Sequence, residues 1–267
     1  MKNNPLLKHF ENVGLLITHY NRSQSLERLL KAFQNLNISF GEIVVSDDGS
    51  EPDCVDNIRK QQEVYGFKLI TTPKNKGLGN NINKGQKNVT KPFTLYVQED
   101  FVPTPYFFEN FDHALSIIQR DEKFDIIRFY AYFKHPYTKQ YDDRFDEMLF
   151  STSLLKPNHL KFYVYSDHPH LRRTNFIEKF RPYREDLGVD KTEFAMCLSF
   201  LKRKGRGLQI KNINLMFDQL NSEEEPSTTT RAEWINKKKL IPIVLREIYI
   251  KYRSLKNTIQ YLRYKKK

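Results

Sequence analysis

The chain has 267 residues, of which 39% are hydrophobic and 28% charged, so it can bury a sizeable core and wholesale disorder is excluded. It has no run of roughly 18 uncharged apolar residues and no secretory signal at its start, so we expect a cytoplasmic protein. Its two cysteines lack metal-ligand spacing, so we expect no structural zinc site. Residues 231–267 contain twelve Lys or Arg and two Glu, which give a net charge of +10 out of the total of +12. Residues 1–230 therefore carry a net charge of only +2, which argues against a nucleic-acid-binding domain with a basic face.

Strand-like and helix-like segments alternate through the first half of the chain. In chain order we predict a strand over 13–18, a helix over 21–36, a strand over 42–46, a helix over 52–65, strands over 68–72 and 93–98, a helix over 105–120 and a strand over 126–129. Strands separated by helices of this length predict parallel βαβ units. The fold class is therefore α/β, with ligands expected at the carboxyl ends of the strands.

The second half of the chain is less regular. Residues 131–172 are rich in Tyr, His, Pro and Asp, which is typical of a loop-rich surface that lines a pocket. A helix over 191–204, ended by Gly205, and a strand over 208–213 follow it. Residues 221–231 show no periodicity and have the composition of a mobile loop.

Four polar or acidic stretches follow the predicted strands. They are THYNR at 18–22, SDDGS at 46–50, NKGLGNN at 75–81 and QED at 98–100. In this order and spacing they resemble the family 2 glycosyltransferases of the GT-A fold, whose pattern is a T-x-Y-N type loop, a D-D-G-S turn, an N-x-G-x-G segment before a helix and a D-x-D-like acidic motif. The resemblance covers roughly residues 12–215. Taken alone, SDDGS is also an ordinary turn sequence.

The resemblance implies a Rossmann-like, mixed but mostly parallel sheet flanked by helices, to which the sequence adds a C-terminal amphipathic helical tail. Together with the charge of the C-terminal end, it divides the chain into a catalytic domain over 1–230 and a basic tail over 231–267. The catalytic domain has a nucleotide-sugar half over 1–130 and an acceptor half over 131–230. The resemblance also implies inverting, metal-dependent transfer of a sugar from a nucleoside-diphosphate sugar to a glycan acceptor. The expected donor is a UDP-linked sugar. Such enzymes act in surface polysaccharide synthesis, for example of bacterial capsule or O-antigen.

The loops also contain the groups that a nucleotide sugar needs. By resemblance Asp48 contacts the base or the ribose, and the full set of predicted nucleotide-sugar-binding residues is Thr18, Tyr20, Asn21, Asp48, Lys76, Gly77 and Glu99. Ile82 stands where many relatives have an arginine. We expect Lys74, Lys76 or Lys84 to supply that positive charge, unless these lysines are simply solvated.

The diphosphate accumulates negative charge as the glycosidic bond breaks, so the site needs a divalent cation or a fixed positive charge. Asp100 is the predicted metal ligand, with Glu99 beside it, and the expected cofactor is Mn²⁺ or Mg²⁺ because both prefer hard oxygen ligands. Gln98 stands where the family pattern has its first aspartate. Relatives often place a histidine ligand after the last strand, where Asp218 or Gln219 is the candidate substitute.

An inverting transfer also needs a general base for the acceptor hydroxyl. Relatives take it from an acidic pair at the start of a helix, which corresponds here to Glu193 and Phe194, so only the glutamate keeps a carboxylate. The intact pair Glu185 and Asp186 is the rival. Alternatively, Glu193 or Asp190 simply stabilises a helix N-terminus.

Three further residues are candidates for substrate contacts. His168 and His170 suit an acceptor sugar or a pyrophosphate, although they have no triad or zinc spacing and are also typical surface histidines. Arg231 ends the loop over 221–231 and suits a contact with the diphosphate.

Apolar residues of the tail recur every three or four positions and form one stripe on a helix. They are Ile241, Val244, Leu245, Ile248, Tyr252, Leu255, Ile259 and Leu262. Cations lie off the stripe, so residues 241–267 are predicted to form an amphipathic helix that binds an anionic membrane surface. We therefore expect a peripheral protein at the inner face of the cell membrane, with a lipid-linked glycan as acceptor. Alternatively, the stripe packs on the catalytic domain or on a second subunit.

Two other classes of protein share some of these features. A sugar-phosphate nucleotidyltransferase combines an α/β sheet with an acidic metal motif, but THYNR is not the glycine- and basic-rich first loop typical of that class. A basic nucleic-acid-binding protein would explain the charge of the tail. The nearly neutral body and the lack of an aromatic-basic RNA motif argue against it, so we expect no nucleic-acid partner.

Overall fold

The computed structural model describes residues 7–153, 155–221, 225 and 240–264, with residues 240–246 described by their backbone alone. Within them the elements are, in chain order, β1 (Lys8–His19), α1 (Ser23–Asn35), β2 (Ile38–Asp47), α2 (Pro52–Tyr65), β3 (Lys68–Ile70), α3 (Leu78–Gln86), β4 (Phe93–Gln98), β5 (Phe101–Pro103), α4 (Phe107–Arg120), β6 (Ile126–Arg128), β7 (Thr138–Gln140), β8 (Phe145–Met148), a 3₁₀ turn (His159–Phe162), β9 (His170–Arg173), α5 (Phe176–Phe180), α6 (Val189–Lys202), β10 (Gly207–Ile210), β11 (Phe217–Gln219) and α7 (Leu240–Arg263). The bounds of α2 and β4 match the prediction, and the other predicted elements are present with shifted ends.

In the described part of the chain, nine strands form one sheet in the order β3-β2-β1-β4-β9-β6-β10-β8-β7. Seven of them run in one direction, and β8 and β9 run against the others. The predicted α/β fold with a mixed, mostly parallel sheet is therefore confirmed. β5 and β11 pair antiparallel in a separate ribbon.

β9, like β7 and β8, is a strand of the main sheet that sequence patterning did not predict. This strand lies between β4 and β6, and its polar residues His170 and Arg172 are fully buried. The Arg172 guanidinium donates to Gln86 Oε1 at 2.7 Å and lies 4.8 Å from the centroid of the Phe176 ring. Gln86 lies 86 residues from Arg172 in the sequence, so no local pattern indicates that the arginine is buried and paired.

Apolar residues pack on both faces of the main sheet. One face is covered by α1, α2 and α4, where Leu29 and Phe111 are fully buried. The other is covered by α3 and α6, together with buried aromatic residues such as Phe162 and Tyr165. The irregular stretch over 131–172 therefore contributes to a core that it shares with the first half, as well as to the surface.

α7 turns its apolar stripe away from the rest of the protein. The stripe residues with described side chains are 41–64% exposed, and they are Ile248, Tyr252, Leu255, Ile259 and Leu262. The opposite side of α7 makes the contacts: Ser254, Asn257 and Thr258 are buried, and the Tyr261 ring lies 4.9 Å from the Phe150 ring between centroids. The alternative in which the stripe packs on the catalytic domain is therefore wrong for these five residues.

The side chains of Ile241, Val244 and Leu245, which complete the predicted stripe, lie outside the described residues. Among the helices that the structure describes, none combines the length and the apolar content that crossing a bilayer requires.

Candidate active site

The loop after β1 is anchored by two buried side chains. Thr18 Oγ1 shares a 3.0 Å hydrogen bond with the hydroxyl of Tyr96 on β4. His19 Nδ1 donates to Asp47 Oδ1 at the end of β2 over 2.9 Å, and both side chains are almost inaccessible. Because β2, β1 and β4 are parallel neighbours, their polar carboxyl-end loops meet at one edge of the sheet.

Asn21 ties the loop after β1 to the loop after β2. Its backbone N–H donates to Ser50 Oγ at 2.8 Å, and its Oδ1 accepts from the backbone N–H of Glu51 at 2.8 Å. Its φ of 52° lies in the left-handed region, which asparagine tolerates better than most residues. Asn21 thus shapes the loop, while its predicted neighbour Tyr20 is half-buried at the loop surface.

Asp48 holds the loop that precedes α3. Its Oδ1 accepts from the backbone N–H of Lys76 at 3.0 Å, and its Oδ2 accepts from that of Gly77 at 2.8 Å. Burial raises the pKa of Asp48, although these two hydrogen bonds oppose the shift. Gly77 has a φ of 87°, which favours glycine, and α3 begins directly after it. Three predicted nucleotide-binding residues therefore form one hydrogen-bonded unit.

The three candidate lysines differ in their surroundings. Lys84 Nζ donates to the backbone carbonyl of Asp47, whereas Lys74 and Lys76 are exposed. Burial lowers the pKa of Lys84 against the opposing charges of the two neighbouring aspartates. Ile82 is fully buried in the core, so its side chain cannot contribute to a polar site.

The acidic pair after β4 faces a buried arginine. Glu99 and Asp100 are 8% and 5% exposed, and Arg22 Nη1 lies 3.5 Å from Glu99 Oε1 and 3.4 Å from Asp100 Oδ2. Burial raises the pKa of Glu99 to about 7, with the Asp100 charge adding to the shift and His19 and Arg22 opposing it. Sequence analysis placed Arg22 within the first loop but gave it no role. Its charge becomes significant only when the fold brings β1 and β4 together.

The ribbon of β5 and β11 places Gln219 on the acidic pair. Gln219 Nε2 donates to Asp100 Oδ2 at 2.7 Å, whereas Asp218 on the same strand is exposed. The Tyr132 hydroxyl donates to Gln219 Oε1, and Tyr132 also lines a neighbouring cavity. These contacts connect Asp100 to that cavity. Of the two candidates on β11, the structure thus brings Gln219 to Asp100.

The donor set at Asp100 fits a cation whose remaining ligands come from a bound substrate. Asp100 Oδ1 is buried and has no hydrogen-bond partner among the described residues. The described residues contain no cluster of three or more His, Cys, Asp or Glu that would enclose a metal on its own. Asp100 is therefore the residue that could hold Mn²⁺ or Mg²⁺ through Oδ1, with Gln219 fixing its other oxygen.

A cavity of about 150 Å³ adjoins this region. Its lining includes aromatic, basic and acidic side chains: Arg128, Tyr132, Phe133, Lys134, His135, Tyr163, His168 and Glu193. Glu193 lies in the second turn of α6 and accepts from the backbone N–H of Asp167 at 3.3 Å. Asp190 is the acid in the first turn of that helix. Glu193 therefore does not stabilise the helix N-terminus, and it lines the cavity instead.

Asp167 is a buried acid that sequence analysis did not single out. Its burial, together with the charge of Glu193 and a hydrogen bond between the two side chains, holds the pKa of Asp167 well above the usual range. Arg128, also buried, donates to the Tyr163 carbonyl at 2.7 Å and places a positive charge near both acids. The structure thus places a second buried acid and a cation beside Glu193, both from segments distant in sequence.

The rival acidic pair lies elsewhere. Glu185 accepts from the side-chain amides of Asn80 and Asn83 on α3, each at 2.8 Å. Asp186 is exposed and pairs with the Arg184 guanidinium at 2.7 Å. Neither acid lines the cavity that contains Glu193.

The other candidates for substrate contacts lie in different surroundings. His168 lines the cavity, and its ring lies 4.6 Å from that of Tyr132 between centroids. His170 is fully buried between Tyr96 and Tyr165, so it does not reach a substrate in this arrangement. Arg231 lies outside the described residues.

Known proteins resemble this chain in sequence and in fold. The poly-β-1,6-N-acetyl-D-glucosamine synthase of Staphylococcus aureus is 28% identical over 107 residues, which are 39% of this chain and 26% of the synthase. The chain thus spans about a quarter of the length of that relative.

Two solved structures share the fold. S. aureus TarS 1–349 in complex with UDP-GlcNAc superposes with a TM-score of 0.58 at 15% identity, over 94% of this chain and 71% of that one. The mannosyltransferase PcManGT from Pyrobaculum calidifontis, in complex with GDP-Man and Mn²⁺, gives a TM-score of 0.54 at 12% identity, over 94% of this chain and 74% of that one. The family model of glycosyl transferase family 2 matches residues 15–186, which contain the four carboxyl-end loops, and the chain therefore belongs to glycosyl transferase family 2.

Proposed function

We propose that this protein is an inverting, metal-dependent glycosyltransferase that moves a sugar from a nucleoside-diphosphate sugar to a growing surface polysaccharide. One observation carries the proposal: the carboxyl-end loops of β1, β2 and β4 meet around the buried acids Glu99 and Asp100, and Tyr132 links that pair to the cavity of Glu193. In this proposal residues 1–130 hold the donor and residues 131–230 hold the acceptor.

The donor half supplies binding and orientation. The loop of Asp48, Lys76 and Gly77 lies at the N-terminus of α3, where backbone N–H groups favour an anionic group. Thr18 and Tyr20, on either side of His19, offer the hydroxyl and the aromatic wall that a base requires. Because Thr18 is held by the buried Tyr96, and Asp48 by the backbone N–H groups of Lys76 and Gly77, this part of the site is formed before the donor binds.

The acceptor half supplies the base. Glu193 takes the proton of an acceptor hydroxyl while that oxygen attacks the anomeric carbon from the face opposite the nucleotide. The new glycosidic bond forms as the bond to the diphosphate breaks, and the nucleoside diphosphate leaves with the bonding electron pair. The backbone N–H of Asp167 donates to the Glu193 carboxylate and so orients it in the cavity.

Positive charge stabilises the leaving diphosphate. A divalent cation held by Asp100, when bound, would neutralise charge that builds up on the phosphate oxygens. Arg22 adds a fixed cation beside the same acids, at 3.4 Å from Asp100 Oδ2. The raised pKa of Glu99, about 7, reflects burial that a nearby cation would offset.

We further propose a UDP-sugar as donor. The support is that TarS, a structural neighbour, binds UDP-GlcNAc and that the synthase relative is named for a polymer of N-acetylglucosamine. PcManGT binds GDP-Man, so the base has to be tested directly.

A thermal-shift comparison of nucleotides tests the proposed donor site. With Mn²⁺ present, UDP at about 100 times its Kd should raise the unfolding free energy by about 2.7 kcal/mol and Tm by several degrees. GDP should raise Tm less than UDP, and a chelator should remove most of the effect. An equal response to ATP, or no response to any nucleoside diphosphate by the folded protein, would contradict the proposal.

We also propose that α7 attaches the protein to an anionic membrane surface. Its exposed stripe is flanked by Lys251, Lys256 and Arg263, each less than a quarter turn from the stripe on a helix of 3.6 residues per turn. An apolar face bordered by cations is the pattern of helices that lie in the headgroup region of anionic lipid. Attachment there suits a lipid-linked glycan acceptor.

Sedimentation with lipid vesicles tests the role of α7. The full chain should bind vesicles that contain phosphatidylglycerol at low salt, and the paired change Leu255→Glu and Ile259→Glu should weaken binding at least about tenfold, because it places two charges on the apolar face. Val64→Glu is the matched control, since Val64 is 72% exposed on α2. Unchanged binding by the double variant, or a stable dimer that this variant dissociates, would instead favour another partner for the stripe.

A further inference from the structure

Cys54 lies in the first turn of α2 and faces the buried pair of His19 and Asp47. Its Sγ is 3.9 Å from His19 Nε2, and His19 Nδ1 is 2.9 Å from Asp47 Oδ1. The side chains of His19 and Asp47 are 0% and 1% exposed, whereas Cys54 is only partly buried. The thiol, the imidazole and the carboxylate thus form a series of contacts, and none of the three groups has a role in the proposed sugar transfer.

The surroundings of Cys54 favour the thiolate. Burial alone would lower the pKa of His19, but the hydrogen bonds with Asp47 and Cys54 raise it to about 9. Burial alone would raise the pKa of Cys54, and the His19 hydrogen bond and charge, together with hydrogen bonds from Ser23, lower it. Ser23 is the first residue of α1, so the sulfur lies near the N-termini of both α1 and α2, which also stabilise a negative charge.

Two further groups face the histidine. The charge of Glu99 acts on His19 and supports its protonated form. The backbone N–H of Arg22 lies 3.2 Å from His19 Nε2, so this nitrogen accepts that hydrogen bond whenever the shared proton is on sulfur. The imidazole can therefore exchange one proton with the thiol without losing its hydrogen bond to Asp47.

We propose that Cys54 is a nucleophilic thiolate and a modification site for hydroperoxides and alkylating electrophiles. With hydrogen peroxide, the thiolate sulfur attacks one oxygen and the O–O bond breaks. Cys54 is oxidised by two electrons to the sulfenic acid, and the departing hydroxide takes the proton of His19 and leaves as water. The imidazolium thus serves as the proton donor for the leaving oxygen.

Oxidation at Cys54 is expected to disturb the nucleotide loops. The added oxygen has to fit between His19 and Ser23, and Asp47, the partner of His19, also accepts from the backbone N–H of Ser50 at 3.1 Å. Ser50 in turn holds Asn21. This consequence for nucleotide binding rests on the proposed function, whereas the reactivity of the thiolate does not.

Alkylation of the full chain at pH 7 with limiting iodoacetamide, quantified by mass spectrometry, tests the reactivity. Cys54 should react at least tenfold faster in the folded protein than after unfolding in urea. Cys197 is the internal control, because it is fully buried and burial raises its pKa well above the usual range. The rate at Cys54 should also reach half its maximum at a pH below the ordinary thiol value of about 8.5.

Variants identify the cause of the reactivity. His19→Asn should slow alkylation of Cys54 at least tenfold, whereas His9→Asn, a change of an exposed histidine at the other end of β1, should leave the rate unchanged. Should His19→Asn fail to fold, the pH profile of the unmodified protein decides. A folded-state rate at Cys54 no higher than the unfolded one, or a half-maximum at the ordinary thiol value, would overturn the proposal.

Peroxide treatment separates this inference from the proposed function. Dimedone should label Cys54 after one equivalent of hydrogen peroxide, and the Tm increase caused by UDP should shrink at least threefold. Cys54→Ser should keep the response to UDP and lose its sensitivity to peroxide. Labelling of Cys54 without any UDP response in the untreated protein would sink the donor proposal alone, whereas a normal UDP response without labelling would sink the thiolate proposal alone.

Discussion

Asp100→Asn should reduce metal-dependent turnover of a nucleoside-diphosphate sugar by about 10²-fold or more, the loss expected when a group that stabilises transition-state charge is removed. The reason lies in how the two carboxylate oxygens are used. Oδ2 accepts from Gln219 and faces Arg22, whereas the buried Oδ1 has no partner among the described residues. An amide keeps the shape of the side chain but loses its charge, and with it the affinity for a hard cation.

Release of nucleoside diphosphate across a series of Mn²⁺ concentrations measures this effect. Asp218→Asn is the matched control, because it is the same chemical change on an exposed residue of the strand that carries Gln219. We expect its turnover and its Mn²⁺ dependence to equal those of the unmodified protein. Turnover by Asp100→Asn at the unmodified rate and with the unmodified Mn²⁺ dependence would show that Asp100 is not the metal ligand.

Glu193→Gln should leave donor binding intact and slow sugar transfer by about 10²–10⁴-fold, the contribution typical of a positioned general base. Glutamine fills the same space in the cavity and still accepts from the backbone N–H of Asp167. It cannot take a proton from the acceptor hydroxyl. The expected result is therefore an unchanged KM for the donor with a greatly reduced kcat.

The rival acids supply the comparison for Glu193. Asp186→Asn changes an exposed residue that pairs with Arg184, so transfer should persist in this variant. Transfer that survives Glu193→Gln and fails in Asp186→Asn or Glu185→Gln would move the base to that pair. A loss of donor binding in Glu193→Gln would mean that Glu193 belongs to the donor site instead.

Much of the donor half could be predicted because its information is local. Each carboxyl-end loop is a short polar sequence directly after an apolar run, and a parallel sheet brings such loops to one edge whatever the details of packing. Asp48 is an example, since it stands in the short polar sequence SDDGS, directly after β2. The helix α2 was predicted to the residue because Pro52 starts it and Gly66, in the left-handed region with a φ of 69°, ends it.

The partners of the site residues could not be predicted because they come from distant segments. Gln219 reaches Asp100 only through the ribbon of β5 and β11, and Asp167 reaches Glu193 only because β9 runs against its neighbours. Arg22 stands in a motif that sequence analysis quoted, yet its charge matters only beside acids of another strand. Such contacts leave no periodicity in the sequence.

For the tail, the sequence predicts the helix and its apolar stripe but not the direction in which the stripe faces. Its helical stripe is visible in the spacing of residues such as Tyr252 and Leu255, but the direction that the stripe faces depends on what holds α7. Tyr261, packed on Phe150, and the buried Ser254 turn the helix so that the stripe faces away from the catalytic domain. A polar contact face and an apolar exposed face reverse the arrangement usual for a surface helix.

The central claim is that the carboxyl-end loops bind a nucleoside-diphosphate sugar and that Asp100 holds the cation needed to cleave it. The most direct measurement is the release of nucleoside diphosphate from UDP-GlcNAc and GDP-Man, with Mn²⁺, Mg²⁺ or a chelator, by the full chain and by Asp100→Asn. We predict release that depends on the cation, is faster from the UDP-sugar and is lost in the variant. No release from either donor by the folded protein, together with pyrophosphate release from UTP and a sugar 1-phosphate, would contradict the claim and identify a nucleotidyltransferase.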